Sequence, residues 1–163
     1  MPRKITDRIQ STYQHMQIVA PPVVDHDVVN KKYADKAGSK TIEYVVNAPN
    51  DPVIDSQQAI FYIPAVMDGY RLIEAVACVF NSSNDIPVTV DPGIWGGGDF
   101  LTNGYITIDA YAYNSYTSAS PPIIDPNNNT VHTGDQIYLD VGYAAGNGAT
   151  GLVVMLTFAP GVP

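Results

Sequence analysis

Residues 136–158, QIYLDVGYAAGNGATGLVVMLTF, decide the fold class. Ile137, Leu139 and Val141 alternate with Gln136 and Asp140, the period-two pattern of a strand with one face in a core. Leu152, Val154, Leu156 and Phe158 then line one face of a second strand. The small residues of 142–151 lie between the two, so the pair reads as a hairpin.

Working outward, β-rich runs punctuated by Pro, Gly, Asn and Asp fill the chain from Thr41 to its end. Strands are expected over 42–47, 59–63, 70–80, 87–90, 105–113, 136–141 and 152–158. Short strands at such spacing, with no helix between them, imply a mainly β body: an antiparallel, jelly-roll-like β-sandwich. The run 72–80 is apolar on both alternating faces apart from Glu74, which predicts a central strand covered on both sides. In 105–113, Ile106, Ile108, Ala110 and Ala112 point one way and Tyr105, Thr107, Asp109, Tyr111 and Tyr113 the other, giving a core face and an aromatic stripe. Residues 114–134, with Pro121-Pro122 and Asn127-Asn128-Asn129, read as an exposed loop, and Gly96-Gly97-Gly98 as a flexible tip. Trp95 on that tip is expected to seal one end of the sandwich, with sugar stacking or insertion into a neighbouring subunit as the alternatives.

Charge divides the chain at about residue 40. Seven of the eight basic residues precede position 41, so the first forty residues sum to +3 and the rest to −11. The expected organisation is therefore an attachment arm with one short helix over 1–40 and a β-sandwich domain over 41–163. In 1–24 the apolar residues Ile5, Ile9, Met16, Ile18 and Val19 are too sparse for a core, and Pro21-Pro22 imposes an extended course. Residues 25–38 carry helix signals: Asp25 or Asp27 as N-cap, Lys31, Lys32 and Lys36 further along, and Gly38 at the C-terminal end. Val29, Tyr33 and Ala37 share one face, a stripe too narrow for so short a helix to stand alone in water. It needs a partner: the body, copies of itself, or another protein.

The same residues exclude several functions. The basic residues are few and mixed with acids, which argues against nucleic-acid binding. Met1 to Arg8 has no apolar signal-peptide run, and no stretch reaches the length of a membrane helix, so a chain made in a cytoplasm and not inserted in a membrane is expected. Cys78 is the single cysteine, which rules out an intrachain disulfide, and its apolar setting reads as a small buried thiol. His15, His26 and His132 stand in separate segments without metal-ligand spacing. The glycines after Trp95 lack the lysine and helix of a phosphate loop, and no carboxylate pair marks a glycosidase. Asp125, Asn127, Asn128 and Asn129 depart from the calcium-loop pattern and read as a polar loop with Asx turns. No catalytic residue, cofactor or metal ligand is expected, and the chain reads as non-enzymatic.

The stretch DHDVVNKKYADK at 25–36, with its kernel Asn30-Lys31-Lys32-Tyr33, resembles a segment of the form D-x-D-A-x-N-K-K-Y-V-D in the tail fibres and virion appendages of tailed bacteriophages. Val28 replaces the usual alanine, a mild change on a helix. The stretches 133–141 and 148–158 also look like the closing hairpin of small phage β-sandwich domains. The resemblance implies a virion structural protein made in the host bacterial cytoplasm, a short tail fibre, tail component or capsid decoration. It further implies a homotrimer anchored to another tail or capsid protein, with Arg3, Ile5, Ile9, Ile18, Val29, Asn30, Lys31, Lys32 and Tyr33 as docking and oligomerisation residues. Trp95, Tyr105, Tyr111 and Tyr113 are the candidates for a subunit interface or for contact with a host surface glycan, the latter making the chain a receptor- or carbohydrate-binding module.

Overall fold

The computed structural model describes residues 38–54, 57–142 and 148–161. Residues 1–37 of the expected arm and helix, with all nine docking residues from Arg3 to Tyr33, lie outside the described residues, as do His15 and His26, and Lys40, expected in the arm, opens the first strand. Among the described residues nine strands build the body: β1 (Lys40–Val45), β2 (Gln57–Tyr62), β3 (Tyr70–Asn81), β4 (Val88–Ile94), β5 (Gly98–Asp99), β6 (Ile106–Ile108), β7 (Thr130–Val131), β8 (Gln136–Gly142) and β9 (Thr150–Pro160). They form two antiparallel sheets, one ordered β1-β9-β3-β7 and the other β2-β8-β4-β5. Within the second sheet β6 pairs with Val88 to Val90 at the start of β4 and β5 with its end, so two short strands share one lateral position.

Apart from the run β4 to β6, every link along the chain passes from one sheet to the other. That is the winding of a jelly roll, in which two Greek keys close over one core. It also corrects the expected hairpin: β8 pairs with β2 and β4, and β9 with β1 and β3, so residues 136–142 and 150–160 face each other across the core. Alternation and small loop residues are compatible with both arrangements. What separates them is the long-range partner that each strand finds.

The inward faces are those of the alternation. Ile137, Leu139 and Val141 of β8, Leu152, Val154, Leu156 and Phe158 of β9, and Val88, Val90, Ile106 and Ile108 are all buried. Phe100 and Phe158 meet edge to face at 6.1 Å in the middle of this core. At the β1–β2 edge, Tyr44 and Phe61 stack at 5.8 Å.

Strand β3 carries the one irregularity that decides which residues reach the core. Its pairing with β9 shifts between Leu72, opposite Phe158, and Glu74, opposite Thr157, leaving Ile73 as a bulge. Ile73 and Glu74 are both exposed, and Ala75, Ala77 and Val79 continue the buried face that Leu72 begins. In a regular strand Glu74 would share the core face with Leu72; the extra residue keeps its carboxylate in water. The run is thus apolar on both faces, and its outer face is covered in part: Val76, opposite Met155, is buried. Phe80 is 60% exposed and Cys78 is half-buried rather than a core thiol.

Segment 109–134 departs furthest from expectation. Beyond β7, which pairs only with Tyr70 and Arg71, this segment covers the remaining edge of β3. Val79 N–H donates to the Tyr113 carbonyl at 2.9 Å, Ala77 N–H to the buried Ser115 Oγ at 3.0 Å, and Cys78 forms a bridge with Asn114. A 3-10 turn at Ser115–Thr117 and the fully buried Val131 belong to the same cover, so the segment is not simply an exposed loop. Unpaired backbone groups along an edge attract other strands, and here the chain satisfies them itself. Among the described residues, no helix is long and apolar enough to cross a membrane.

The bulge is open to test. Leu72 and Phe80, eight residues apart, would share a face in a regular strand. With the bulge, Leu72→Ala should cost about 2–5 kcal/mol in urea unfolding, and Phe80→Ala should stay within about 0.5 kcal/mol of the parent. Equal costs would contradict the register.

Candidate functional site

Residues directly opposite one another in an antiparallel pair share a face, so the registers define what each sheet shows to solvent. The two outer faces differ in kind.

On the sheet of β2, β8, β4 and β5, the outward rows are Tyr62–Gln136–Trp95, Ile60–Tyr138–Gly93 with Asp99, and Gln58–Asp140–Asp91. Trp95 enters this face because its N–H donates to the Gln136 carbonyl at 2.8 Å, extending the β4–β8 ladder by one residue. Its indole is 62% exposed and meets Tyr138 edge-on at 6.5 Å. Trp95 therefore does not seal an end of the sandwich. Trp95 to Gly97 form the turn of the β4–β5 hairpin, held by the Gly97 N–H to Ile94 carbonyl bond of 2.8 Å.

Tyr138 lies across Gly93, where any Cβ would overlap its ring, and its hydroxyl donates to Asp99 Oδ1 at 2.6 Å. Partial burial, with that hydrogen bond and the nearby carboxylates, holds its phenol well above the usual range. Asp91 stands directly opposite Asp140. Burial first, then the charges of Asp99 and Asp140, push its carboxyl up to about 6. Its Oδ1 is buried without a hydrogen-bond partner among the described residues. Exposed aromatic rings beside three carboxylates offer stacking surface and hydrogen-bond acceptors on one rigid sheet.

The outer face of the other sheet is apolar over much of its area. Val45, Val153 and Cys78 form one row and Glu43, Met155 and Val76 the next. Pro49 and Phe80 pack on either side of Gly151, which has φ +66° and no room for a side chain between them. The groove among Val45, Pro49, Cys78, Phe80 and Val153 encloses about 300 Å³. Burial, and secondarily Glu43, raise the Cys78 thiol pKa, so the sulfur stays protonated and of low reactivity.

The tyrosine stripe expected over 105–113 is not brought together. Strand β6 covers only Ile106–Ile108, and an Ala112 N–H to Asp109 carbonyl turn ends the alternation. Tyr105 remains exposed beside the sheet. Tyr111 takes a left-handed backbone, φ 65°, and its hydroxyl donates to Asp85 at 2.9 Å. Tyr113 is exposed on the segment that borders β3. Asp109 is used locally, accepting from the Ala119 N–H at 2.8 Å. Asp125 makes an Asx turn, its Oδ1 accepting from the Asn127 N–H at 2.8 Å. His132 lies 3.6 Å from Asp68, both exposed, and Asp68 is held below the usual carboxylate range by the backbone N–H of Thr133.

The outer face that carries Tyr62, Tyr138 and Asp91 was missed by local reading. The signal is the polar positions of three strands taken together, which acquires meaning only once β8 lies between β2 and β4.

No protein-family model matches the chain, and no curated protein matches it. Among solved structures it is similar to a chain described as "Cyanophage Pam1 capsid asymmetric unit", at 14% identity and a TM-score of 0.40, over 90% of this chain and 95% of that one.

The carboxylate cluster predicts a pH dependence. Because the Asp91 pKa is raised from 3.8 to about 6 on folding, the cost of ionising it is absent below the lower value and complete above the higher one. Asp91→Asn should therefore stabilise the fold at neutral pH, by about 1 kcal/mol after allowance for solvent screening, and leave it unchanged near pH 3.5. Paired urea titrations of parent and variant at the two pH values check this, and a gain equal at both would contradict it.

Proposed function

We propose that this protein is a non-enzymatic structural component of a bacteriophage particle: an N-terminal segment anchors it to another virion protein, and the jelly roll forms its outward body. The observation that carries the reading is the stretch at 25–36, with Asn30-Lys31-Lys32-Tyr33, placed immediately before Gly38 where the β body begins. Jelly rolls serve many functions, so the fold alone does not choose among them. Charge supports the division of labour: an acidic body resists random association, and the positive segment seeks an acidic surface. Three copies assemble, and the protein serves as a short tail fibre, a tail component or a capsid decoration.

The full chain is expected to sediment as a trimer. Deleting residues 1–24 should abolish incorporation into particles and leave the β body folded. A monomer that enters particles without those residues would overturn the proposal.

A second reading, carbohydrate recognition, is favoured by one observation: Tyr62, Trp95 and Tyr138 share a face with Asp91, Asp99 and Asp140. On a glycan array this reading predicts saturable binding that Trp95→Ala reduces at least about tenfold, as loss of a stacking ring would. Binding unchanged by that substitution would remove the face from consideration.

A further inference from the structure

The outer face of the β2-β8-β4-β5 sheet sets three carboxylates beside exposed aromatic rings, and among the described residues no cation answers them. We propose that this face takes glycans whose sugars carry free, protonated amines, the ring faces stacking on Tyr62 and Trp95 and the amines meeting Asp99 and Asp140. The inference rests on the carbohydrate reading given above and names the class of sugar that the same face selects.

The registers set the spacing. Successive outward rows lie about 7 Å apart and neighbouring strands about 5 Å apart, so the three rows together cover the length of a short oligosaccharide. Tyr138, seated where Gly93 lacks a side chain, donates to Asp99 Oδ1 and so fixes that carboxylate beside the stacking surface. Charge then selects the sugar. Asp91 and Asp140 stand directly opposite on adjacent strands, a repulsive pairing, and Asp99 lies in the next row. The basic side chains of the described residues are elsewhere: Lys40 and Arg71 belong to β1 and β3 of the other sheet, and His132 faces Asp68. Asp91 Oδ1 is buried and lacks a hydrogen-bond partner among the described residues. Anionic glycans are therefore repelled, whereas a protonated amine supplies the missing counter-charge and is drawn to the indole and phenol faces as well.

Two other cationic partners fit this face less well. A metal ion needs ligands that converge on one point, and the described residues hold no group of three His, Cys, Asp or Glu side chains so placed. A basic peptide that lies along a sheet takes its hydrogen bonds from an unpaired strand edge, whereas β8 and β4 are paired on both sides. A sugar asks only for ring faces and acceptors, and this face offers both.

Isothermal titration of the full chain with a glucosamine tetrasaccharide, its N-acetylated counterpart and tetralysine tests this, at low ionic strength and with the amines protonated. The amine-bearing sugar should bind saturably and at least about tenfold more tightly than the N-acetylated one, the size expected of exposed cation–π and carboxylate contacts acting together. Asp140→Asn, which also relieves the repulsion across from Asp91, should reduce that preference about threefold, and added salt should narrow it. Trp95→Ala should weaken the binding of both sugars. Equal affinity for the two sugars would overturn the inference and leave the carbohydrate reading standing. A preference that neither salt nor Asp140→Asn changes would be steric in origin and would overturn it too. Tetralysine binding as tightly as the amine-bearing sugar, and unaffected by Trp95→Ala, would assign the face to cationic peptides instead. No saturable binding of either sugar would remove both the inference and the reading beneath it.

Discussion

The body depends on the pairing of β3 with β9 and on the one-residue shift within it. These are the two central strands of their sheet, and their inward residues, Leu72, Ala75, Ala77 and Val79 against Leu152, Val154, Leu156 and Phe158, supply one wall of the core. A strand has only two faces, so a single added residue reassigns everything beyond it. Ile73 is that residue. It keeps Glu74 out of the core and turns Cys78 and Phe80 outward, creating the apolar surface as the by-product of solving the core.

The winding extends the consequence to the second sheet. Because successive strands alternate between sheets, β8 comes to lie between β2 and β4, and residues far apart in sequence share an outer face. Tyr62, Trp95, Tyr138, Asp91, Asp99 and Asp140 meet only through this arrangement. One sheet thus shows aromatic rings and carboxylates, and the other shows valine, methionine and phenylalanine.

The sequence made the strand class legible because alternation is a local property: 70–80, 136–141 and 152–158 lie within observed strands, and the antiparallel sandwich follows from their spacing. Pairing was not legible. The stretch 136–158 satisfies the pattern of a hairpin, yet its halves belong to opposite sheets, since β8 pairs with β2 and β4, and β9 with β1 and β3, all distant in sequence. Segment 105–113 alternates as cleanly, but the turn from Asp109 to Ala112 and the left-handed Tyr111 end the strand at Ile108. Trp95 illustrates the same limit in a side chain. A lone tryptophan beside glycines reads as a plug, and only the added ladder bond to Gln136 turns it onto a sheet face.

In the role proposed above, the chain is a built-in part of a phage particle with the jelly roll facing outward. Electron microscopy of purified particles carrying a gold-labelled tag at the C-terminus of this chain tests that role. Label is expected at regular, symmetry-related positions on the particle exterior. Particles devoid of label, from cells in which the tagged chain is folded and abundant, would contradict it.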